Sequence, residues 1–185
     1  GKAQFVALRQ YEDSGDQGIE ADNNGDDNEA TPRSAPIISN VTMPGGGTTD
    51  YAVEIYYEAI KNKKYTSFLG KGTSLDMMYM PDAIKGAIDL MEADSSKLVH
   101  RNAFNVTAMS FAPEDMEVAI KKHIPEFSLD FDVDPVRQAI AETWPNSMDD
   151  SAAREEWGWD PEFDLAKMTE DMLKVLQARH EKGEF

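Results

Sequence analysis

The chain has 185 residues, with 18 Lys+Arg against 35 Asp+Glu and a formal net charge of −17. One domain of roughly 100–200 residues plus a tail fits that length, and 41% hydrophobic residues suffice for a packed core. The acidic excess, with no basic stripe, argues against nucleic acid, because such a surface repels phosphates. With no Cys, disulfides, thiolate nucleophiles and Cys-ligated metals are excluded. No apolar run approaches the ~20 residues of a membrane span, and no basic region followed by an apolar stretch marks an export signal. Asn40-Val41-Thr42 and Asn105-Val106-Thr107 fit the glycosylation pattern. Without secretion they are chance matches.

Residues 1–36 hold three basic and eight acidic side chains. After the short apolar patch Phe5-Val6-Ala7-Leu8, large aliphatics almost vanish until Ala35. Asp22 to Glu29 reads as a solvated, disordered acidic segment that buries too little apolar surface to offset ordering. Counted as a calcium loop from Asp22, it places Asp27 where the sharp turn needs Gly. The expected organisation is a disordered acidic tail over 1–36, an ordered lobe over 37–178 and a polar tail over 179–185.

The ordered part alternates strand-like and helix-like pieces. Ile37-Ile38 is a strand end, followed by the flexible loop Pro44 to Thr49. Ala52, Ile55, Tyr56, Ala59 and Ile60 repeat at helical spacing, with Asp50 or a preceding Thr as cap. Tyr65–Leu69 and Asp76–Met80 read as strands, and Pro81-Asp82 opens a helix with Ile84, Ala87, Ile88 and Met91 inward. Ala103–Val106 is a short strand. Pro113 starts a helix with Met116, Ala119 and Ile120 inward. Ser128–Val133 alternates strictly, with Leu129, Phe131 and Val133 on one face. Pro135 opens the next helix, Gly158 ends a short one capped by Asp149 or Asp150, and Asp164 caps the last.

Several constellations have a chemical reading beside a plain one. Three glycines at 45–47 let the backbone approach a ligand, and amides ahead of a helix favour an anion. The loop is neither a P-loop nor a dinucleotide fingerprint, and a plain loop with a helix cap is the alternative. Tyr57 and Lys61 fit the Tyr-x-x-x-Lys spacing, in which Lys lowers the Tyr pKa for proton abstraction. That spacing is short and common, so it is read as a decoy. Asp130, Asp132 and Asp134 share one strand face, either a cation site or a solvated edge. No His has a second His at i+3 or i+4, so no metal site is expected. Trp144, Trp157 and Trp159 read as core or rim aromatics. Arg137 either clamps a carboxylate or pairs with nearby Asp groups.

Five stretches together carry a resemblance: Pro44-Gly-Gly-Gly-Thr-Thr-Asp-Tyr51, Met77-Met-Tyr-Met-Pro-Asp82, Arg137-Gln-Ala-Ile-Ala, Thr143-Trp-Pro145, and Asp150-Ser-Ala-Ala-Arg154 followed by Trp157-Gly-Trp159. The sequence resembles the L-threonine 3-dehydrogenases of the extended, nucleotide-sugar-epimerase-like short-chain dehydrogenase family, from about Ile37 to Ala178. The resemblance implies an α/β fold: the C-terminal substrate-binding part of such an enzyme, with an incomplete Rossmann-type sheet plus helices. It implies oxidation of L-threonine to 2-amino-3-ketobutyrate with NAD as cofactor, in threonine catabolism. Gly47, Thr48 and Trp144 would then line the substrate pocket, and Ile37 would lie near the nicotinamide.

The family's Gly-x-Gly-x-x-Gly and its catalytic Tyr and Lys find no match in these residues, so no catalytic residue is assigned. The expectation is a part that is inactive alone. It would be completed by a complementary N-terminal half, as in a split dehydrogenase, or would persist as a non-catalytic ligand- or partner-binding module; a homo-oligomer is the other partner arrangement in view. The family setting is cytoplasmic or the mitochondrial matrix.

Overall fold

The computed structural model describes residues 31–100 and 103–185. Strands β1 (Thr31–Ser34) and β2 (Ile37–Ile38) are separated only by Ala35 and Pro36. Along this run β1 pairs in parallel with β5 (Ala103–Val106), and β2 pairs in parallel with β4 (Leu75–Tyr79). Ala35 N donates to Val106 O at 3.4 Å, whereas Met78 N donates to Pro36 O at 3.0 Å. Consecutive residues of a strand aim their amide groups at opposite edges, so β5 and β4 flank the run on its two sides. Beyond β4 lies β6 (Met109–Phe111), antiparallel, with Leu75 opposite Phe111. A separate parallel pair joins β3 (Lys64–Ser67) to β7 (Ser128–Phe131).

Side chains alternate across a strand, and that alternation divides the core in two. Ile38, Met77 and Tyr79 enter a cluster with α1 (Tyr51–Asn62), α3 (Pro113–Lys121) and α6 (Leu165–Glu181). Ile37 and Met78 enter the other, with Ala83 and Leu90 of α2 (Met80–Glu92), Phe104, Val106 and Trp159. Helices on both faces of a largely parallel sheet give the α/β layering that the sequence implies.

Local chemistry fixes the helix ends. Asp164 caps α6 by accepting from Lys167 N at 2.8 Å. Asp134 caps α4 (Pro135–Glu142) through Val136 N at 2.9 Å and Arg137 N at 3.3 Å. Gly158, at φ 77°, stops α5 (Ser151–Trp157), since a left-handed residue there meets no Cβ penalty.

Two expectations change. First, α2 does not turn Ile84, Ile88 and Met91 inward; they are 51%, 43% and 46% exposed. Its buried residues are Asp82, Ala83, Gly86 and Leu90. The cause is tertiary: the Asp82 carboxylate accepts from Glu162 N at 2.8 Å and Phe163 N at 3.0 Å, and Gly86 lies under the Trp159 ring. Second, Phe131 and Val133 remain 38% and 45% exposed despite their alternation, because β7 pairs with β3 alone. Thr31–Ser34 is a strand and Ala35 is buried. The Phe5–Leu8 patch and the Asp22–Glu29 segment lie outside the described residues. In the polar stretch 179–185, Arg179 Nη1 donates to Asn40 O at 2.7 Å, and the Phe185 ring meets Tyr57 edge-on at 4.5 Å.

Candidate functional site

The loop after β2 is shaped from within. Ser39 Oγ accepts from Val41 N at 3.1 Å and Thr42 N at 3.4 Å, closing a tight turn. The amides of Gly45, Gly46 and Gly47 then converge on one oxygen, Asp50 Oδ2, at 2.6, 2.7 and 2.9 Å. The glycine run is an anion nest, and its anion is the chain's own Asp50. Gly46, at φ 97°, takes the backbone conformation that this curl requires. A 3₁₀ turn over Thr48–Asp50 follows and runs straight into α1.

The 3₁₀ turn packs against α4, and Trp144 follows α4 by two residues, half-buried against the larger core cluster. Gly47 is the N-cap of that turn and Thr48 opens it, while Trp144 lies just past the end of α4, more than ninety positions further along the chain. Ile37 is placed differently. It turns into the second cluster beside Met78, on the opposite face of the sheet from Ile38. Arg137, on α4 itself, lies 4.2 Å over the Phe68 ring and 3.8 Å from the Asp134 carboxylate, so it is engaged in the scaffold.

Sequence reasoning missed a polar network where β2 and β4 end. Tyr79 OH donates to Asp171 Oδ2 at 2.6 Å, while Asn40 Nδ2 donates to Tyr79 OH at 2.7 Å and to Asp171 Oδ2 at 3.1 Å. Burial, then the Asp171 carboxylate, pushes the Tyr79 hydroxyl well above the ordinary phenol range. Tyr79 is therefore held as a neutral donor. Since open α/β sheets gather ligands outside the carboxyl ends of their strands, this network fixes the rim on which the glycine loop stands. One signal was available: a Tyr inside a strand needs a partner for its hydroxyl when buried.

Other candidates resolve into structure. Tyr57 and Lys61 border an open groove of about 590 Å³ with Met43, Pro44, Glu54 and Tyr65. The Tyr57 hydroxyl has Arg179 Nη1 at 3.4 Å, and Lys61 Nζ sits 4.9 Å from the Phe185 ring centroid. Asp130 pairs with Lys64 at 2.6 Å and Asp134 caps α4. Among the described residues, no three His, Asp or Glu side chains form a metal-binding group. Nor is any helix among them long and apolar enough to cross a membrane.

Comparison with known proteins places this geometry. An L-threonine dehydrogenase from Clostridium difficile matches at 58% identity and TM-score 0.79, over 81% of this chain and 47% of that one. A GalE-like L-threonine dehydrogenase from Cupriavidus necator matches at 47% identity and TM-score 0.76, over 80% of this chain and 53% of that one. The chain belongs to the epimerase-like L-threonine dehydrogenase family, and it corresponds to the family's C-terminal half. An uncharacterized epimerase/dehydratase from Staphylococcus haemolyticus is 58% identical over 145 residues, 78% of this chain and 46% of that protein. The chain thus spans about half the length of the relatives it matches.

A second family, described as a pectate-lyase like beta helix domain, also matches residues 1–160. A β-helix stacks short strands in repeating coils. The described residues in that range instead hold five α-helices and strands of two to five residues in a layered α/β arrangement. The fold follows the dehydrogenases.

Proposed function

We propose that this chain forms the amino-acid side of an L-threonine dehydrogenase, acting in oxidation of L-threonine to 2-amino-3-ketobutyrate with NAD. The observation that carries this reading is the 58% identity to a threonine dehydrogenase, sustained over 81% of this chain. In that role the Thr48 hydroxyl offers a hydrogen bond to the polar end of the amino acid. Trp144 supplies an apolar wall, and Asp50 keeps the glycine curl in shape before any ligand arrives. NAD would supply the hydride acceptor. No catalytic step is assigned to the residues described; in this reading Ile37 faces the side from which a nicotinamide would approach.

The test is reconstitution. The chain is mixed with the half of the clostridial enzyme that it does not match, and NADH formation is followed with and without L-threonine. Threonine-dependent NADH is expected from the mixture and none from the chain alone. Thr48→Ala and Trp144→Ala should raise KM about tenfold or more, the loss of one good contact being worth about 1.4 kcal/mol. A stable mixture that oxidises no threonine would refute the proposal.

A further inference from the structure

We infer that Arg179 is a positioning residue for the glycine loop: from the last turn of α6 it holds the carbonyls behind the Gly47–Thr48 wall. The inference rests on the dehydrogenase reading for its effect on threonine, while the order of the loop is a property of this chain alone. From Val41 to Gly47 every residue except Pro44 is exposed, so apolar burial does little to hold the run. Polar contacts hold it instead. Ser39 Oγ occupies the amides of Val41 and Thr42. Arg179 Nη1 takes the carbonyls of the same turn, Asn40 O at 2.7 Å and Val41 O at 3.3 Å. Only Thr42, Met43 and Pro44 separate this clasp from Gly45, and the ring of Pro44 fixes one of their dihedrals.

Helix α6 brings two side chains to one loop residue. Asp171 and Arg179 lie eight positions apart, about 12 Å along the axis. Both nevertheless reach Asn40: Asp171 Oδ2 accepts from its Nδ2 at 3.1 Å, and Arg179 donates to its carbonyl. Long helical side chains lean toward the N-terminus of their helix, which carries the guanidinium back toward Asp171. Its far edge is anchored as well. Arg179 Nε donates to Glu184 Oε2 at 2.8 Å, and Glu184 N donates to Arg179 O at 3.1 Å. One planar fork thus serves a carboxylate at one edge and loop carbonyls at the other, whereas a lysine ammonium keeps the charge but not both edges. The Tyr57 hydroxyl, 3.4 Å from Nη1, is the weaker third acceptor.

The experiment follows amide hydrogen exchange in the full 185-residue chain carrying Arg179→Lys, with Arg179→Gln beside it. In both, exchange at Gly45, Gly46 and Gly47 should accelerate about tenfold or more, while amides in α3 and β7 keep their rates. Phe185→Ala disturbs the same end of α6 without touching the clasp, and it should leave the three glycines as they were. Mixed with the unmatched half of the clostridial enzyme, Arg179→Lys should raise KM for L-threonine about fivefold or more, with kcat within about twofold. Unchanged glycine exchange in both variants would overturn the inference. So would exchange rising throughout the chain in step with a lower urea midpoint, the mark of a residue that merely stabilises α6. A loosened loop with the threonine KM unmoved overturns it too. If the unsubstituted mixture oxidises no threonine, the proposed activity falls, and glycine exchange alone decides whether Arg179 sets the loop.

Discussion

Gly86 is the sharpest place to test the packing of α2. A Cβ built there falls 2.8 Å from Trp159 Cζ3 and 3.3 Å from Cη2. Carbon atoms in contact prefer about 3.5–4.0 Å, so the ring or the helix must yield by more than half an ångström. The ring is not free to do so. Trp159 is 1% exposed, its Nε1 donates to Thr107 O at 2.9 Å, and its face abuts Trp157 at 5.7 Å between centroids. Overpacking of this kind costs about 1–3 kcal/mol. Replacing a mid-helix Gly with Ala returns about 1 kcal/mol, and detaching the indole from Thr107 adds about 1–3 kcal/mol. Gly86→Ala should therefore lower stability by about 1–5 kcal/mol in urea unfolding followed by tryptophan fluorescence. In a Trp159→Phe background, where the outer ring edge is withdrawn, the same change should be neutral or stabilising. If Gly86→Ala stabilises the wild-type chain by about 1 kcal/mol, as at an open helical position, the contact with Trp159 is not there.

Three further outcomes are expected. Asp50→Ala leaves the amides of Gly45, Gly46 and Gly47 without their acceptor, so hydrogen exchange at these three should accelerate while α6 amides are unchanged. Asp82→Ala strands the Glu162 and Phe163 amides and should cost about 2–4 kcal/mol in urea unfolding; a cost under about 1 kcal/mol would mean that water reaches them. Burial holds the Asp76 carboxyl above the ordinary carboxylate range, with hydrogen bonds from Thr107, Met148 and Ser110 pulling it partly back. A folded-state value above the unfolded one means that the native chain binds this proton more tightly. Its contribution is then complete below the unfolded value near about 4 and is lost as pH rises through the folded value. Wild-type stability should fall more steeply over that window than the stability of Asp76→Asn, and equal slopes would remove the burial argument.

What the sequence made legible was local chemistry. Pro113, Pro135, Asp164 and Gly158 each act within a turn of their own position, and each stands where a helix begins or ends. The orientation of α2 was not legible, because periodicity finds a stripe without saying which stripe faces in. Asp82 and Gly86 decide it, through amides at 162–163 and a ring at 159, and no window around residue 84 contains them. Strand β6 is three residues long and exists because Leu75–Met77 offers it an antiparallel edge. At the site, the glycine run left an anion-binding loop and a plain loop with a helix cap both open, and whether its amides serve a ligand or Asp50 is a matter of three-dimensional reach. The Asn40–Tyr79–Asp171 network draws on three elements spread over 131 positions, beyond any local pattern.

The two core clusters are unequal, and the inequality has a direction. Around α1, α3 and α6 the apolar side chains close on themselves, and even Phe185 returns to cover Tyr57. On the α2 face the buried set is small, with Phe104 and Trp159 as its large anchors, Trp159 wedged between Gly86 and the Thr107 carbonyl. Stability divided in this way is not uniform, and the sparser side is the one that opens at lower free energy. That same side carries the exposed Ile84–Met91 stripe. The Asp50 nest, Trp144 and the Tyr79 network lie on the closed side, against α1, α4 or α6, so the loop after β2 is held by the better-packed of the two clusters.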